Sequence, residues 1–401
     1  MSFVEHVLEE AKYSESPRSY WYWAALSAIA ATVKRQVWWE KGLYKLYPNL
    51  YVLIVGPSGI RKGLPVVAAS KLARGVGIKN VITGRASIQA VLAELAKVLT
   101  HPDGGGPQRD STAFIANDEF STAFVRDMDT YTILTKLYDG HFTDEWANIL
   151  KSSGKEEMKN VCINLIGAVN QAHFNDIMNE KEVSGGFIGR TLVVLETQRA
   201  RKNSLVLDVP PPINYEKLIR ELNEISKLRG PVTPTQAAKE YYHEWYMQFS
   251  PESMEDKTGT ANRIHDTVLK VATLLTLSRH TLETSVQDIE EALEACAQTT
   301  SSVDKVILSK GDQEFAKKQQ LFVGALLARG PENEYSAKRS TLLSSNLGGF
   351  DHIDLERIVE NLETAGLLET EFVKVRSRTE PVYKLTPKFL KLLESKIKVA
   401  K

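Results

Sequence analysis

The chain has 401 residues, 50 basic and 50 acidic, for a formal net charge of zero. That balance excludes a protein held on nucleic acid or a membrane by its overall field, and leaves only local basic faces for such contacts. Its two cysteines, Cys162 and Cys296, lie far apart in apolar segments and exclude a disulfide framework or a cysteine zinc site, while the longest apolar run, Trp21 to Val33, is too short to span a bilayer. A cytoplasmic chain of two or three domains with no membrane attachment is expected.

Residues 1–49 read as a helical prelude. Phe3, Val4, Val7 and Leu8 recur at helical spacing, Ser14-Glu-Ser-Pro17 supplies a turn and cap, and Trp21–Val33 follows as a core helix. Val37-Trp-Trp39 fits a short strand before the Tyr47-Pro-Asn49 turn.

Leu50-Tyr-Val-Leu-Ile-Val-Gly-Pro-Ser-Gly-Ile-Arg-Lys-Gly63 reads as a buried strand, a glycine-rich turn and a helix start. This is the layout of a phosphate cradle, G-x-x-x-x-G-K-[ST], in which backbone N–H groups and one lysine surround the anion. The candidate binding set is Gly56, Ser58, Gly59, Ile60, Arg61, Lys62 and Gly63. Gly56 and Lys62 match the pattern. Arg61 replaces the second glycine, where a Cβ restricts how closely the backbone wraps a phosphate but a guanidinium adds charge. Gly63 replaces the hydroxyl that normally ligates Mg²⁺.

From Leu50 to about residue 200 strands alternate with helices, which predicts a mostly parallel sheet with right-handed crossovers. Helices are expected over 64–74 and 87–99, with a short strand at 80–83 and a Gly/Pro-rich loop at His101–Asp110. The strand beginning at Ser111 ends in Asp118-Glu119. Beside a phosphate loop, the first carboxylate would hold Mg²⁺ and the second would orient or deprotonate the attacking water; an acidic helix cap is the plainer reading. The strand Val161–Gln171 ends in amides, and Asn170 would sense the γ-phosphate. Gly185-Gly-Phe-Ile-Gly-Arg190 leads into the strand 191–195, and Arg190 suits a finger inserted into a neighbouring subunit's site. Each of these has a bland explanation. Lysine, acid pair, amide and arginine in that order point together to a P-loop NTPase.

A basic and proline-rich linker, Arg199 to Pro212, is followed by a helical lid over 213–310. There Arg263, at the start of the helix 264–277, is expected to reach back to bound phosphate. Tyr241, Tyr242, Trp245 and Tyr246 read as a packing seam rather than a stacking platform. Residues 317–401 read as helices over 321–327, 336–343 and 353–364, then a hairpin of 367–375 and 382–385 joined by the turn 376–380. That order matches a winged helix. Lys374, Arg376, Arg378 and Lys384 make the wing basic and are the candidate DNA contacts. Asp354, Glu356, Glu360 and Glu363 make the third helix acidic, which argues against sequence-specific groove reading.

With these residues the chain resembles a family of phage- and mobile-element-encoded P-loop proteins, similar to ring-forming replicative helicases of the RecA and AAA+ type. The resemblance covers roughly residues 13–290: the Ser-Pro turn and aromatic helix, Tyr-Pro-Asn-Leu-Tyr-Val, Gly-Pro-Ser-Gly-x-Arg-Lys, Asp118-Glu119, and Gly-Gly-Phe-Ile-Gly-Arg190. It implies an α/β P-loop core with helical lid and winged-helix domain, and ATP and Mg²⁺ as cofactors. It also implies a homo-oligomeric ring on single-stranded or forked DNA alongside replication proteins, in the host cytoplasm if phage-encoded. Residues ahead of the loop contact adenine in many such ATPases, which makes Tyr13 or Pro17 a candidate, though packing alone explains both at least as well. Gly63 keeps a weakly hydrolysing adaptor or helicase loader open as the alternative; a nucleotide-sensing regulator is a third reading.

Overall fold

A computed structural model describes residues 1–97, 111–120, 130–139, 145–150, 154–179, 186–204, 207, 209–250, 259–344, 352–375 and 378–391. It divides into two compact units, Met1–Val306 and Ile307–Lys401.

In the first unit α1 (Phe3–Glu10) and α2 (Arg18–Val33) precede β1 (Val37–Glu40), β2 (Lys45–Leu46) and β3 (Tyr51–Val55). Then come α3 (Gly63–Gly75), β4 (Val81–Ile82), α4 (Ile88–Leu95), β5 (Thr112–Asn117) and α5 (Thr130–Tyr138). These are followed by β6 (Glu145–Leu150), β7 (Gly154–Lys159), β8 (Cys162–Val169), α6 (Gln171–Asn179) and β9 (Thr191–Leu195). Five of the strands form a wholly parallel sheet in the order β4-β5-β8-β3-β9.

Every residue of β3 is buried, as its unbroken apolar run requires of a central strand covered on both faces. Val52 and Ile54 join the core that holds α2 and α3, while Tyr51 packs its ring against Tyr138 and Phe187. Helix α2 is buried nearly all round, consistent with its apolar sequence. Gly167 in β8 is a glycine for contact reasons: a Cβ there would lie 2.7 Å from the Phe120 ring.

The elements 63–75, 81–82, 88–95 and 112–117 follow the sequence expectation. Helix α5 lies between β5 and β8, where the expected alternation calls for a helix, while the antiparallel β6–β7 hairpin is an addition that alternation did not foresee. The loop 101–110 lies outside the described residues.

Beyond the sheet come α7 (Tyr215–Ile225), β10 (Gly230–Pro231), β11 (Thr233–Pro234), α8 (Gln236–Gln248), α9 (Ile264–Ser278), β12 (Glu283–Thr284) and α10 (Val286–Leu327). The region is helical as expected, but α10 runs on for 42 residues and the unit boundary falls within it. No break separates a lid ending near 310 from a helix starting at 321. On α8, Tyr242 and Trp245 pack against the core, which supports the packing-seam reading for those two, while Tyr241 and Tyr246 are exposed and Tyr246 stacks on Tyr242.

The second unit holds the end of α10, β13 (Ser336–Lys338), α11 (Arg339–Ser344), α12 (His352–Thr364), β14 (Leu368–Val375) and β15 (Arg378–Leu385). Its antiparallel sheet has the order β13-β15-β14 over a core of Phe322, Leu326, Leu342, Leu355, Ile358, Leu362 and Tyr383. Two expectations are corrected. Ser336–Lys338 is a strand paired with Val382–Lys384, so the second helix starts only at Arg339. Arg378 pairs with Val375 inside the hairpin, so the second strand begins at Arg378 rather than at Val382.

Candidate functional site

In an open parallel sheet, ligand crevices lie outside the carboxyl ends of the strands. Residues 56–62 leave β3 at that end. Gly56 has no space for a side chain: a Cβ would meet Tyr20 Oη at 2.6 Å and Glu196 O at 2.8 Å. Tyr20 Oη in turn donates to Val55 O at 2.6 Å, tying α2 to the strand end. The backbone turns through two left-handed residues, Gly59 (φ +85°) and Arg61 (φ +65°). Arg61 thus adopts the conformation that the glycine it replaces takes without strain. Ser58 is exposed and Ile60 is buried, anchoring the loop. Lys62 precedes α3 and donates to Pro57 O at 3.3 Å, closing the loop on itself. Burial lowers the Lys62 pKa, with the Glu119 carboxylate acting in the opposite direction.

The acid pair faces this loop. A Cβ on Gly63 would stand 3.3 Å from Asp118 Cβ and 3.7 Å from Asp118 Oδ2. Both carboxylates are exposed. Asn117, which pattern reading passed over, sets the turn that presents them. Its Oδ1 accepts from Glu119 N at 2.9 Å, and its Nδ2 donates to Gly84 O at 3.2 Å. Asn170 ends β8, between the loop strand and the acid strand, and Gly56 N donates to Val169 O beside it. Its Oδ1 caps α6 by accepting from His173 N at 2.9 Å, and its Nδ2 pairs with His173 Nδ1 at 2.9 Å.

A cleft of about 650 Å³ is lined by Asp118, Gly63 and Arg61 together with the apolar side chains of Tyr13, Leu64, Val67, Pro210, Ile213 and Tyr215. Tyr13 is therefore at the cleft; Pro17 instead caps α2. Glu15, only 6 % exposed, organises the rim. Its Oε2 accepts from Arg61 Nε at 2.9 Å, and its Oε1 accepts from Arg199 Nη1 at 3.0 Å and Asn203 N at 3.2 Å. The Arg61 guanidinium beside it, followed by the Asn203 N–H, lowers the Glu15 pKa. Glu15 and Arg199 escaped sequence reading because the residues they join are 46 to 188 positions apart.

Arg190 and Arg263 are not brought to the loop of their own chain. Thr191 pairs with Tyr51 and Leu195 with Val55, so Arg190 lies about 13 Å of strand away, at the opposite end of the sheet. Its Nε donates to both Asp139 oxygens at 3.0 Å and its Nη1 to Gly186 O at 3.0 Å. Gly185 lies outside the described residues. Arg263 packs with its turn against residues 188–190 and donates to Gly259 O at 2.8 Å, rather than reaching a phosphate from a lid.

In the second unit Lys374 is exposed. Lys384 is ion-paired with Glu334, which raises its pKa, and so is already engaged. Arg376 and the side chain of Arg378 lie outside the described residues. The acidic α12 is partly neutralised, Asp354 by Lys318 at 2.6 Å and Glu356 by Arg339 at 2.9 Å.

Both cysteines are buried thiols. Among the described residues no group of three or more His, Cys, Asp or Glu is arranged to hold a metal ion, and no helix is long and apolar enough to cross a membrane. A Mg²⁺ site built from one carboxylate, phosphate oxygens and water needs no such group, and Asp118 beside Gly63 fits that donor set. No protein-family model matches the chain, and no curated protein is significantly similar to it.

Proposed function

We propose that this chain is a Mg²⁺-dependent P-loop ATPase that works on DNA as a ring of identical subunits, in the manner of a replicative helicase. The observation that carries the reading is the meeting of Gly63 and Lys62 with Asp118 and Glu119 at the carboxyl end of the sheet. Backbone N–H groups of 58–63 and the Lys62 ammonium would hold the phosphate chain. Asp118 would hold Mg²⁺, which when bound neutralises charge on the phosphates. One strand, β8, separates β3 from β5, so the carboxyl ends of these two strands stand about 10 Å apart, while Gly63 at the start of α3 reaches Asp118. A terminal phosphate and its attacking water would lie between the ends of those strands, with Glu119 as the base that takes the water's proton and the Nδ2 of Asn170 as the donor to the γ-phosphate. The apolar lining of the cleft, with Tyr13 and Tyr215, suits a nucleobase.

Three helices with a three-stranded antiparallel sheet support a winged-helix reading of the second unit, its hairpin carrying Lys374 toward phosphates. Arg190 enters as the group offered to an adjacent subunit, and must exchange Asp139 for that subunit's phosphate to act there. The missing hydroxyl at Gly63 favours a second reading, an adaptor or loader that binds ATP and turns it over slowly. Steady-state hydrolysis of Mg–ATP with and without single-stranded and forked DNA separates them. Turnover raised by DNA supports the motor, tight binding with negligible turnover supports the adaptor, and failure to bind ATP overturns both.

A further inference from the structure

We propose that Arg199 is a second phosphate-binding cation of the loop, carried there by the segment after β9 and held in position by Glu15. This rests on reading residues 56–63 as a phosphate loop. A Cβ built on Gly59 would lie 3.5 Å from Arg199 Nη2, so the guanidinium lies against the backbone at the loop's first left-handed residue. Its Nη1 is tied to Glu15 Oε1 at 3.0 Å, while 40 % of the side chain remains exposed. A guanidinium carries five N–H donors in a rigid fork, and the bond to Glu15 uses one of them. The arginine is therefore aimed but not consumed.

Glu15 does this for two cations at once. Arg61 comes from the loop, Arg199 from the segment that follows β9, the strand beside β3, and Asn203 N closes the connection. Three cations, Lys62, Arg61 and Arg199, set against the one carboxylate of Glu15 leave the loop with a surplus of positive charge facing Asp118 and Glu119. A staple for the fold would need one sealed arginine; here both are a little under half exposed, and Arg61 and the Glu15 that joins them line the cleft. The cleft also holds an unmet group. Trp21, 4 % exposed, lines it, and its indole N–H has no acceptor among the described residues. The ligand class these features fit is a polyphosphate carried on an apolar base, gripped from outside the loop as well as within it.

The test measures binding of Mg–ATP and of tripolyphosphate, which has no base, to the full chain by calorimetry. Arg199→Ala is expected to weaken both about tenfold, the order of one charge-assisted hydrogen bond. It should fold, because Glu15 keeps Arg61 and Asn203. Arg199→Lys should recover only part of the loss, since one ammonium cannot span Glu15 and the loop, and it serves as the probe if the alanine variant melts early. Glu15→Gln should weaken tripolyphosphate binding in the wild type but not in an Arg61→Ala, Arg199→Ala background, where it has nothing to hold. A loss that persists there makes Glu15 a fold residue and overturns its positioning role. Lys62→Ala is measured in parallel. If it abolishes binding while Arg199→Ala and Arg199→Lys bind as wild type, Arg199 is not a ligand and the loop reading stands. If Lys62→Ala binds normally, the loop reading itself fails.

Discussion

Gly63 lies directly against Asp118: a methyl group added to the glycine would come within 3.3 Å of the aspartate Cβ and 3.7 Å of its Oδ2. The hydroxyl missing from the loop would therefore project beside the carboxylate proposed to hold Mg²⁺. Gly63→Ser is expected to strengthen Mg²⁺-dependent ATP binding about tenfold, about 1.4 kcal/mol, after a shift of a few tenths of an ångström in Asp118. Gly63→Ala adds the same crowding without the oxygen and should give no gain, and Asp118→Asn should cancel the serine's benefit. Titrating Mg²⁺ at fixed ATP checks all three. An equal response from serine and alanine would place the metal elsewhere.

Lys62→Ala is expected to abolish nucleotide binding, since no other lysine stands in the loop. Glu119→Gln should keep binding and lose turnover by roughly 10²-fold or more, the size expected for removal of a general base. Equilibrium binding and single-turnover hydrolysis measured side by side separate the two effects. Normal turnover in Glu119→Gln would leave that carboxylate with an electrostatic role only, through its effect on Lys62.

The loop, the acid pair and the sheet were legible because each lies within one short segment: a continuous apolar strand, then the polar residues at its end. What spans segments was not. Glu15 reads as part of a Ser-Pro turn, and nothing in its spacing announces Arg61 or Arg199. Ser336–Lys338 carries a helix-like Ser cap but is drawn into the sheet by pairing with β15, a tertiary preference that overrides local propensity. Arg190 was legible in part: it immediately precedes a strand, and in a parallel sheet that puts it at the amino end, away from the loop of its own chain, whereas its partner Asp139 lies 51 positions away and has no local signal.

The wing is expected to bind DNA through phosphates, independently of sequence. Replacing Lys374, Arg376 and Arg378 with alanine should reduce the slope of log K against log salt by about 0.7–0.9 for each phosphate that is no longer neutralised. Lys384→Ala should change it less, because Glu334 already holds that ammonium. ATP turnover without DNA should be unaffected. An unchanged slope in the triple variant would make the wing a protein-docking surface.

Lys270 is expected to make stability depend on pH. It is buried, with Nζ donating to Asn49 Oδ1 at 2.8 Å and lying 3.9 Å from the centre of the Tyr138 ring. Burial pulls its pKa down to about 7; Asp266 and Asp139 oppose this and Arg190 adds to it. Because the folded pKa lies below the unfolded one, the unfolded chain binds more protons between about pH 7 and 10. The cost of burying this lysine is thus full below about pH 7 and is relieved as pH rises through that window. The stability difference between wild type and Lys270→Met, measured by urea unfolding at about pH 7 and about pH 9, should move in favour of the wild type at the higher pH. A difference that stays constant would mean that Lys270 stays protonated throughout.

Arg190 distinguishes a shared site from a self-contained one. In its own chain it braces a turn through Asp139 and Gly186, far from Lys62. If it also completes a neighbour's site, Arg190→Ala should bind ATP nearly normally and lose hydrolysis. Mixed with Lys62→Ala subunits, it should regain some turnover, because one interface in the mixture pairs an intact loop with an intact arginine. A brace alone predicts otherwise: Arg190→Ala and Asp139→Asn would lower the melting temperature together, and no mixture would recover activity. Sedimentation at several protein concentrations, with and without ATP and DNA, supplies the second measurement. A chain that stays monomeric in every condition has no interface for Arg190 to cross, and its role then ends at Asp139.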